Sequence, residues 1–357
     1  MMTMRMLSSR VAWGHKPLRE CAGSGHKPVL IREGGDLLIK VSYSRISCYL
    51  DCPQKHHFRY IQRLRAKKIV RPLTFGKDFH TLLQYRDKTA EIIDSIADTY
   101  YEMPPQAQAD LGDTYLDDIQ EIYQDYSKVW KNATLPKETE HEFLILMAKH
   151  KGEPIYFHGI IDEVYEDNSL GEHKTFSTMP NMSLLAMNLQ VCLYAKAWQK
   201  ESGVTPSRIH WDYIRSTPAK QPVWLEKSQR LSEAQNSNIT PMSWLRACKE
   251  HKITDKAVLQ KSKLFTPNIS NFFFRCDIEI VPNMVETAWD SFKQITRDII
   301  TRGGDNQAQN ISRNCSFCEY QPICYAQFTG ADVQYVIDTD YTIKEEKEDD
   351  RNNRKGK

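Results

Sequence analysis

The chain has 357 residues, 40% hydrophobic and 10% aromatic, enough to bury a sizeable core in one large domain or two modest ones. A net charge of +2 with 26% charged residues singles out no class of partner, so the local distribution of charge has to carry that argument. No apolar run approaches the ~18 residues of a membrane span and no signal-peptide core follows the start. An odd count of nine cysteines without an export signal disfavours a disulfide framework and favours metal ligation by any cysteine cluster.

Residues 1–40 read as a leader, apart from a strand over Leu37–Val41. Its first nineteen residues carry Arg5, Arg10, Lys16 and Arg19 and no acid, a composition shared by organellar presequences and by plain disordered leaders. Ser42 or Ser44 can cap a helix in which Ile46, Tyr49 and Leu50 follow at helical spacing. From Lys55 to Lys77 run eight Lys or Arg residues and no acid, interleaved with Phe58, Tyr60, Ile61 and Leu64. From Asp78 to Asp125 the balance reverses on helical patterns, which predicts a helical insertion over about residues 85–135 with solvated acidic faces. Strand patterns follow at Glu142–Leu146, Ile155–Tyr165 and Leu170–Thr175, the last two joined by the turn Glu166–Ser169. A helix is expected over Asn181–Lys200, strands over Ile209–Ile214 and Asn271–Ile280, and a helix over Asn283–Thr301 that stops at Gly303-Gly304. Residues 331–357 form a charged tail, disordered towards its end.

The hairpin carries the chemistry. In a strand, residues two apart share a face, so Glu172 and Lys174 point the same way, and Asp162 on the partner strand can meet Glu172 across the pair. Two converging carboxylates repel unless a cation lies between them, and hard oxygen ligands suit Mg²⁺ or Mn²⁺. A lysine beside them can hold or help deprotonate an attacking water and stabilise charge on a phosphate. A solvent-facing Glu-x-Lys ion pair reads the same in sequence. The apolar Ile155, Phe157, Ile160, Ile161 and Val164 argue instead for burial, where charges need a partner or a metal.

The order of motifs resembles the RecB-type, CRISPR-associated-exonuclease-like branch of the PD-(D/E)XK nucleases. It consists of a Gly-x-x-x-His helix (Gly76–His80), a Gly-x-x-Asp strand (Gly159–Asp162), a Glu-x-Lys strand (Glu172–Lys174) and a Gln-x-x-x-Tyr helix (Gln190–Tyr194). The resemblance spans residues 42–328. It implies an α/β fold, a mixed central β-sheet flanked by helices, with residues 41–330 as the nuclease domain. It implies that Asp162, Glu172, the backbone carbonyl of His173 and His80 bind the catalytic metal. Lys174 orients or activates water, and Gln190 and Tyr194 place the DNA strand and the lysine. The family often carries a further glutamate on the preceding strand, where Glu142 is favoured over Glu140. His80, among Phe79, Leu82 and Leu83, also fits an ordinary helix histidine, and Gln190 and Tyr194 ordinary helix-face residues. Glu in place of Asp before x-Lys departs from the commonest pattern and still reaches a shared metal.

Cys315-x-x-Cys318 and Cys324 form a spacing that lets several thiolates approach one metal or cluster. Cys52, followed by Pro53, is the favoured fourth ligand, with Cys48 one helical turn earlier as its competitor. Structural zinc and a 4Fe–4S cluster share such spacing; the resemblance favours iron–sulfur, held as a clamp between the two ends of the domain. Cys21, Cys192, Cys248 and Cys276 read as isolated thiols.

The expectation is a metal-dependent nuclease that hydrolyses DNA, a single-strand-preferring exonuclease in recombination, repair or phage DNA processing. DNA and recombination or replication proteins are its expected partners and the cytoplasm its setting. The basic run is expected to bind phosphates from the cysteine site to the active site. Phe58, Tyr60 and Phe75 are read as core packing before base stacking. Two rivals are a non-catalytic nucleic-acid-binding module of the same fold and an organellar single-strand exonuclease with structural zinc.

Overall fold

A computed structural model describes residues 31–33, 36–177, 185, 187–234, 236–302 and 307–344. Most of the expected leader with Cys21, the first turns of the expected 181–200 helix, the Gly303-Gly304 stop and the end of the tail lie outside the described residues.

Strands β1 (Ile31–Glu33) and β2 (Asp36–Val41) lead into helix α1 (Tyr43–Asp51), whose N-terminus is capped by the Ser42 hydroxyl accepting from Arg45 N at 3.3 Å. Ile46 is buried, whereas Leu50 lies exposed. Helix α2 (Pro53–His56) passes into a π-helical turn, His57–Ile61, and a short strand β3 (Leu64–Ala66). Helices α3 (Arg71–Gln84), α4 (Thr89–Glu102), α5 (Pro105–Leu111) and α6 (Tyr115–Val129) follow. The long strands β4 (Glu138–His150) and β5 (Glu153–Val164) precede β6 (Leu170–Phe176) and α7 (Leu189–Ser202). After β7 (Arg208–Arg215) come the hairpin β8 (Trp224–Leu225) and β9 (Arg230–Leu231), then helices α8 (Pro241–Glu250) and α9 (Lys256–Gln260). Strand β10 (Phe273–Glu279) and helix α10 (Pro282–Thr301) complete the main layers. The chain closes with α11 (Gln321–Thr329), α12 (Val333–Asp340) and β11 (Tyr341–Ile343). Ordered structure therefore extends beyond both ends of the 41–330 span: β2 joins the central sheet, and β11 pairs with β3.

The sheet is mixed and seven-stranded, in the order β1-β2-β5-β6-β7-β10 with β4 on the other edge of β5. β2 runs parallel to β5 and β6 parallel to β7, while β4·β5, β5·β6 and β7·β10 are antiparallel. Helices α7 and α10 cover one face, with Phe157, Trp211, Leu193 and Phe292 in its core. Helices α3, α4 and α6 cover the other, with Phe75, Phe79, Ile122 and Ile214. β4 alternates Phe143, Ile145 and Met147 inward with Glu142, Leu144 and Leu146 outward, the period of a half-buried strand. This is the α/β, mixed-sheet architecture expected from the sequence.

Candidate active site and cysteine module

The site begins as a fork in the sheet. Strand β5 has β4 along one edge, so β2 and β6 must share the other: β2 pairs with Ile155–Phe157, and β6 pairs only at Glu163 and Val164. The stretch between, residues 158–162, lacks a ladder partner on that edge. There the Asp162 carboxylate accepts the His173 N–H at 2.7 Å. The hairpin turn that sets this register is held by Asp167, whose side chain accepts Ser169 N at 3.0 Å, and by Asn168 at φ 62°.

Two glycines let neighbours close on the fork. A Cβ on Gly159 would stand 2.6 Å from Phe143 Cζ, and one on Gly76 would stand 3.1 Å from Thr175 Oγ1. Gly76 thus lets α3 lie against β6, and His80, one turn further on, reaches the site. Its Nε2 lies 3.2 Å from the His173 carbonyl and its Nδ1 3.7 Å from Asp162 Oδ1.

The fourth element is β4, and it corrects the sequence expectation. The glutamate that joins the site is Glu140; Glu142 is exposed and lies outside the ligand cluster. Glu140 stands in register with Asp162, and ligand atoms of His80, Glu140 and Asp162 all lie within 4.8 Å of one another. Glu140 adopts φ 55°, a left-handed conformation that costs a non-glycine residue energy and is found at functional sites.

Burial, then the negative neighbours Asp162 and Glu172, push the Glu140 carboxyl up to about 7. Burial and Asp162 push Glu172 up to about 7 as well. Asp162 is raised by burial, against the pull of His173 and Lys174. Burial and then the positive charges of His173 and Lys174 lower His80 to about 4, so its imidazole is neutral at pH 7 and able to ligate. Glu172 accepts from both Lys174 Nζ and Gln190 Nε2 on the same oxygen, Oε1, the latter at 2.5 Å. Its other oxygen, Oε2, is buried and lacks a hydrogen-bond partner. Three carboxylates held at unfavourable charge, one orphaned oxygen and a neutral imidazole form a donor set that fits a hard divalent cation.

Gln190 is placed by the Asn188 cap of α7, whose side chain accepts Gln190 N at 2.8 Å. Tyr194, one turn on, packs its ring 5.5 Å from that of Phe143. Trp211 and Tyr213 on β7 stand in register with Glu172 and Lys174 and floor a groove of about 890 Å³. Tyr43 from α1, Lys55 from α2, and Arg59 and Tyr60 from the π-helical turn also line it.

His173 points to the other face of β6, where it is buried between Glu163 (3.1 Å) and Asp212 (3.6 Å). Burial alone would lower its pKa, but the two carboxylates outweigh burial and raise it to about 10, so it is an imidazolium. Arg86 pairs with Glu163 and Arg275 with Asp212 at 2.6 Å, so both acids are compensated. The sequence reading missed this network, because its members come from the turn after α3 and from β5, β6, β7 and β10.

Cys52, Cys315, Cys318 and Cys324 line one cavity of about 150 Å³. Cys48 lines the active-site groove instead. Burial and then the neighbouring Cys318, Cys52 and Cys315 push the Cys324 thiol up to about 11. Thiols gathered this closely around Cys324 fit a metal that draws its proton off. The two chain ends are also joined without the cysteines: Arg59 pairs with Glu319 at 2.6 Å, Tyr320 Oη donates to Leu64 O at 2.9 Å, and β11 pairs with β3.

Part of the basic run is engaged within the protein. Arg65 and Lys67 donate to backbone carbonyls, and Arg71 pairs with Asp118. Among its cations, Lys55 and Arg59 line the groove. Phe58 and Phe75 are buried in the core, while Tyr60 reaches the groove.

No helix among the described residues is long and apolar enough to cross a membrane. No curated protein matches the sequence. Among solved structures, the chain is similar to SSO0001 at 12% identity and a TM-score of 0.30, covering 79% of this chain and 92% of that one. It is also similar to a candidate exonuclease from Eubacterium rectale at 7% identity and a TM-score of 0.41, covering 77% and 86%. The family model of the PD-(D/E)XK nuclease superfamily matches residues 40–325, which include α3, the β4–β5–β6 fork and α7. The chain belongs to the PD-(D/E)XK nuclease superfamily, whose members hydrolyse nucleic acid with divalent metals.

Proposed function

We propose that this protein is a single-strand-preferring DNA exonuclease of the RecB-type branch, acting in recombination, repair or phage DNA processing. The reading rests above all on the fork, where His80, Glu140 and Asp162 converge beside the orphaned oxygen of Glu172. These four side chains, with the His173 carbonyl, would hold Mg²⁺ or Mn²⁺. When bound, the ion supplies Lewis-acid chemistry at the scissile phosphate. Lys174, in register with Tyr213 at the groove floor, hydrogen-bonds the attacking water and offsets charge that develops on the phosphate. Gln190 holds Glu172 in one rotamer, and so keeps Lys174, bonded to the same oxygen, in place. Tyr43, Tyr60 and Tyr194 line the groove, which suits contact with unpaired bases.

Cys52, Cys315, Cys318 and Cys324 are read as ligands of a 4Fe–4S cluster. Structural zinc would use the same four sulfurs; the resemblance to the RecB-type branch favours the cluster. The cluster is structural, a clamp between the α1–α2 segment and α11.

Two substitutions separate the roles. Asp162→Asn should lose Mn²⁺ binding, followed by electron paramagnetic resonance, together with digestion of single-stranded DNA. Lys174→Met should keep Mn²⁺ binding and lose digestion. Digestion by Lys174→Met at the wild-type rate would contradict the assignment.

A further inference from the structure

The two cations that the basic run contributes to the active-site groove are both tied to the cysteine module, each by a residue adjacent to a cysteine. Arg59 Nη1 donates to Glu319 Oε1 at 2.6 Å, and Glu319 follows Cys318. Lys55 Nζ donates to Asp51 Oδ2 at 2.6 Å, while the other oxygen of Asp51 accepts Asn314 Nδ2 at 2.9 Å, and Asn314 precedes Cys315. Lys55 and Asp51 line both the cysteine cavity and the groove. Asn310 adds a second strut, Nδ2 to Asp51 O at 3.1 Å.

We infer that Glu319 and Asn314 are positioning residues for DNA binding: from the cysteine module they hold Arg59 and Lys55 facing the groove, where these two side chains grip the phosphates of the strand. The inference rests on the nuclease reading above. A guanidinium held at one nitrogen still has donors on the others, and its fixed fork suits a phosphate. A long side chain already ordered loses less freedom when the strand binds. The cysteine site then does more than join chain ends. It sets the grip of the groove on its substrate.

The test turns on a sign. On charge alone, removing the acid Glu319 from beside a phosphate groove should tighten DNA binding. If Glu319 positions Arg59, Glu319→Gln should weaken it. Fluorescence anisotropy of a labelled oligothymidylate, in Ca²⁺ to hold cleavage back, should show Kd rise about three- to tenfold. The Mg²⁺-supported reaction should show the loss in KM rather than kcat. In an Arg59→Gln background, Glu319→Gln should change nothing further. Asn314→Ala, acting through Lys55, should weaken binding in the same direction and serves if Glu319→Gln folds poorly. Unchanged or tighter binding by Glu319→Gln, or a further loss in the Arg59→Gln background, overturns the inference while wild-type cleavage keeps the nuclease reading. Wild-type protein that neither binds nor cleaves the strand overturns both.

Discussion

Glu172→Gln separates what the site costs from what it does. The Glu172 carboxyl is buried and pushed up to about 7 from an ordinary 4.5, first by burial and then by Asp162. A carboxyl raised in this way contributes stability below pH 4.5, and that contribution is lost as pH rises through 7. At pH 8 without metal, the gap amounts to roughly 3 kcal/mol at about 1.4 kcal/mol per pKa unit. Glutamine keeps the oxygen that accepts from Lys174 and Gln190, and it places its amide at the oxygen that has no partner. Lys174 loses its counter-ion, but its side chain is 37% exposed, so water offsets part of that loss. The net expectation is a gain of about 1–2 kcal/mol at pH 8 in EDTA, shrinking to nothing near pH 4, with nuclease activity lost. Anaerobic urea denaturation at the two pH values measures it. Glu172→Gln less stable than wild type at pH 8 without metal would refute the view that the fork holds excess negative charge awaiting a cation.

Three further changes probe the surroundings of the fork. Gly159→Ala places a Cβ 2.6 Å from Phe143 Cζ and should destabilise by about 1–3 kcal/mol, with Phe143→Leu in the same chain restoring most of the loss in a denaturation series. His173→Gln leaves Glu163 and Asp212 buried without the imidazolium between them, so thermal unfolding should report a loss of about 3–5 kcal/mol although the ligating carbonyl remains. Cys315→Ala should abolish brown colour. Because Arg59–Glu319, Tyr320–Leu64 and β3·β11 also join the ends, its stability loss should be about 2 kcal/mol rather than the ~4–5 kcal/mol of a sole long-loop clamp. A colourless variant as stable as wild type would show that the clamp contributes nothing.

What the sequence revealed of this site was local. The period-two pattern of β5 and β6 and the Asp167-Asn168-Ser169 turn determine which residues share a face, so Asp162, Glu172 and Lys174 could be placed before any coordinates. Helical spacing did the same for Gln190 and Tyr194. Whatever depends on distant pairing was not legible. Glu140 rather than Glu142 joins the site because of the β4·β5 register and a left-handed residue, neither of which has a local signal. Arg59 and Arg71 look like free cations in sequence, and their acids lie 260 and 47 residues away. The imidazolium state of His173 needs Asp212 from the neighbouring parallel strand. The short α12 and β11, in a stretch read as a charged tail, are explained by β11 pairing with β3 rather than by their own propensity.

The central claim is that the fork is a metal-dependent nuclease centre. It is tested most directly by digestion of end-labelled single-stranded DNA with wild-type protein and Asp162→Asn, each in EDTA, Mg²⁺ and Mn²⁺. Wild type should give fragments with either metal and none in EDTA, and Asp162→Asn none under any condition. Digestion that survives EDTA, or that Asp162→Asn retains, would contradict it.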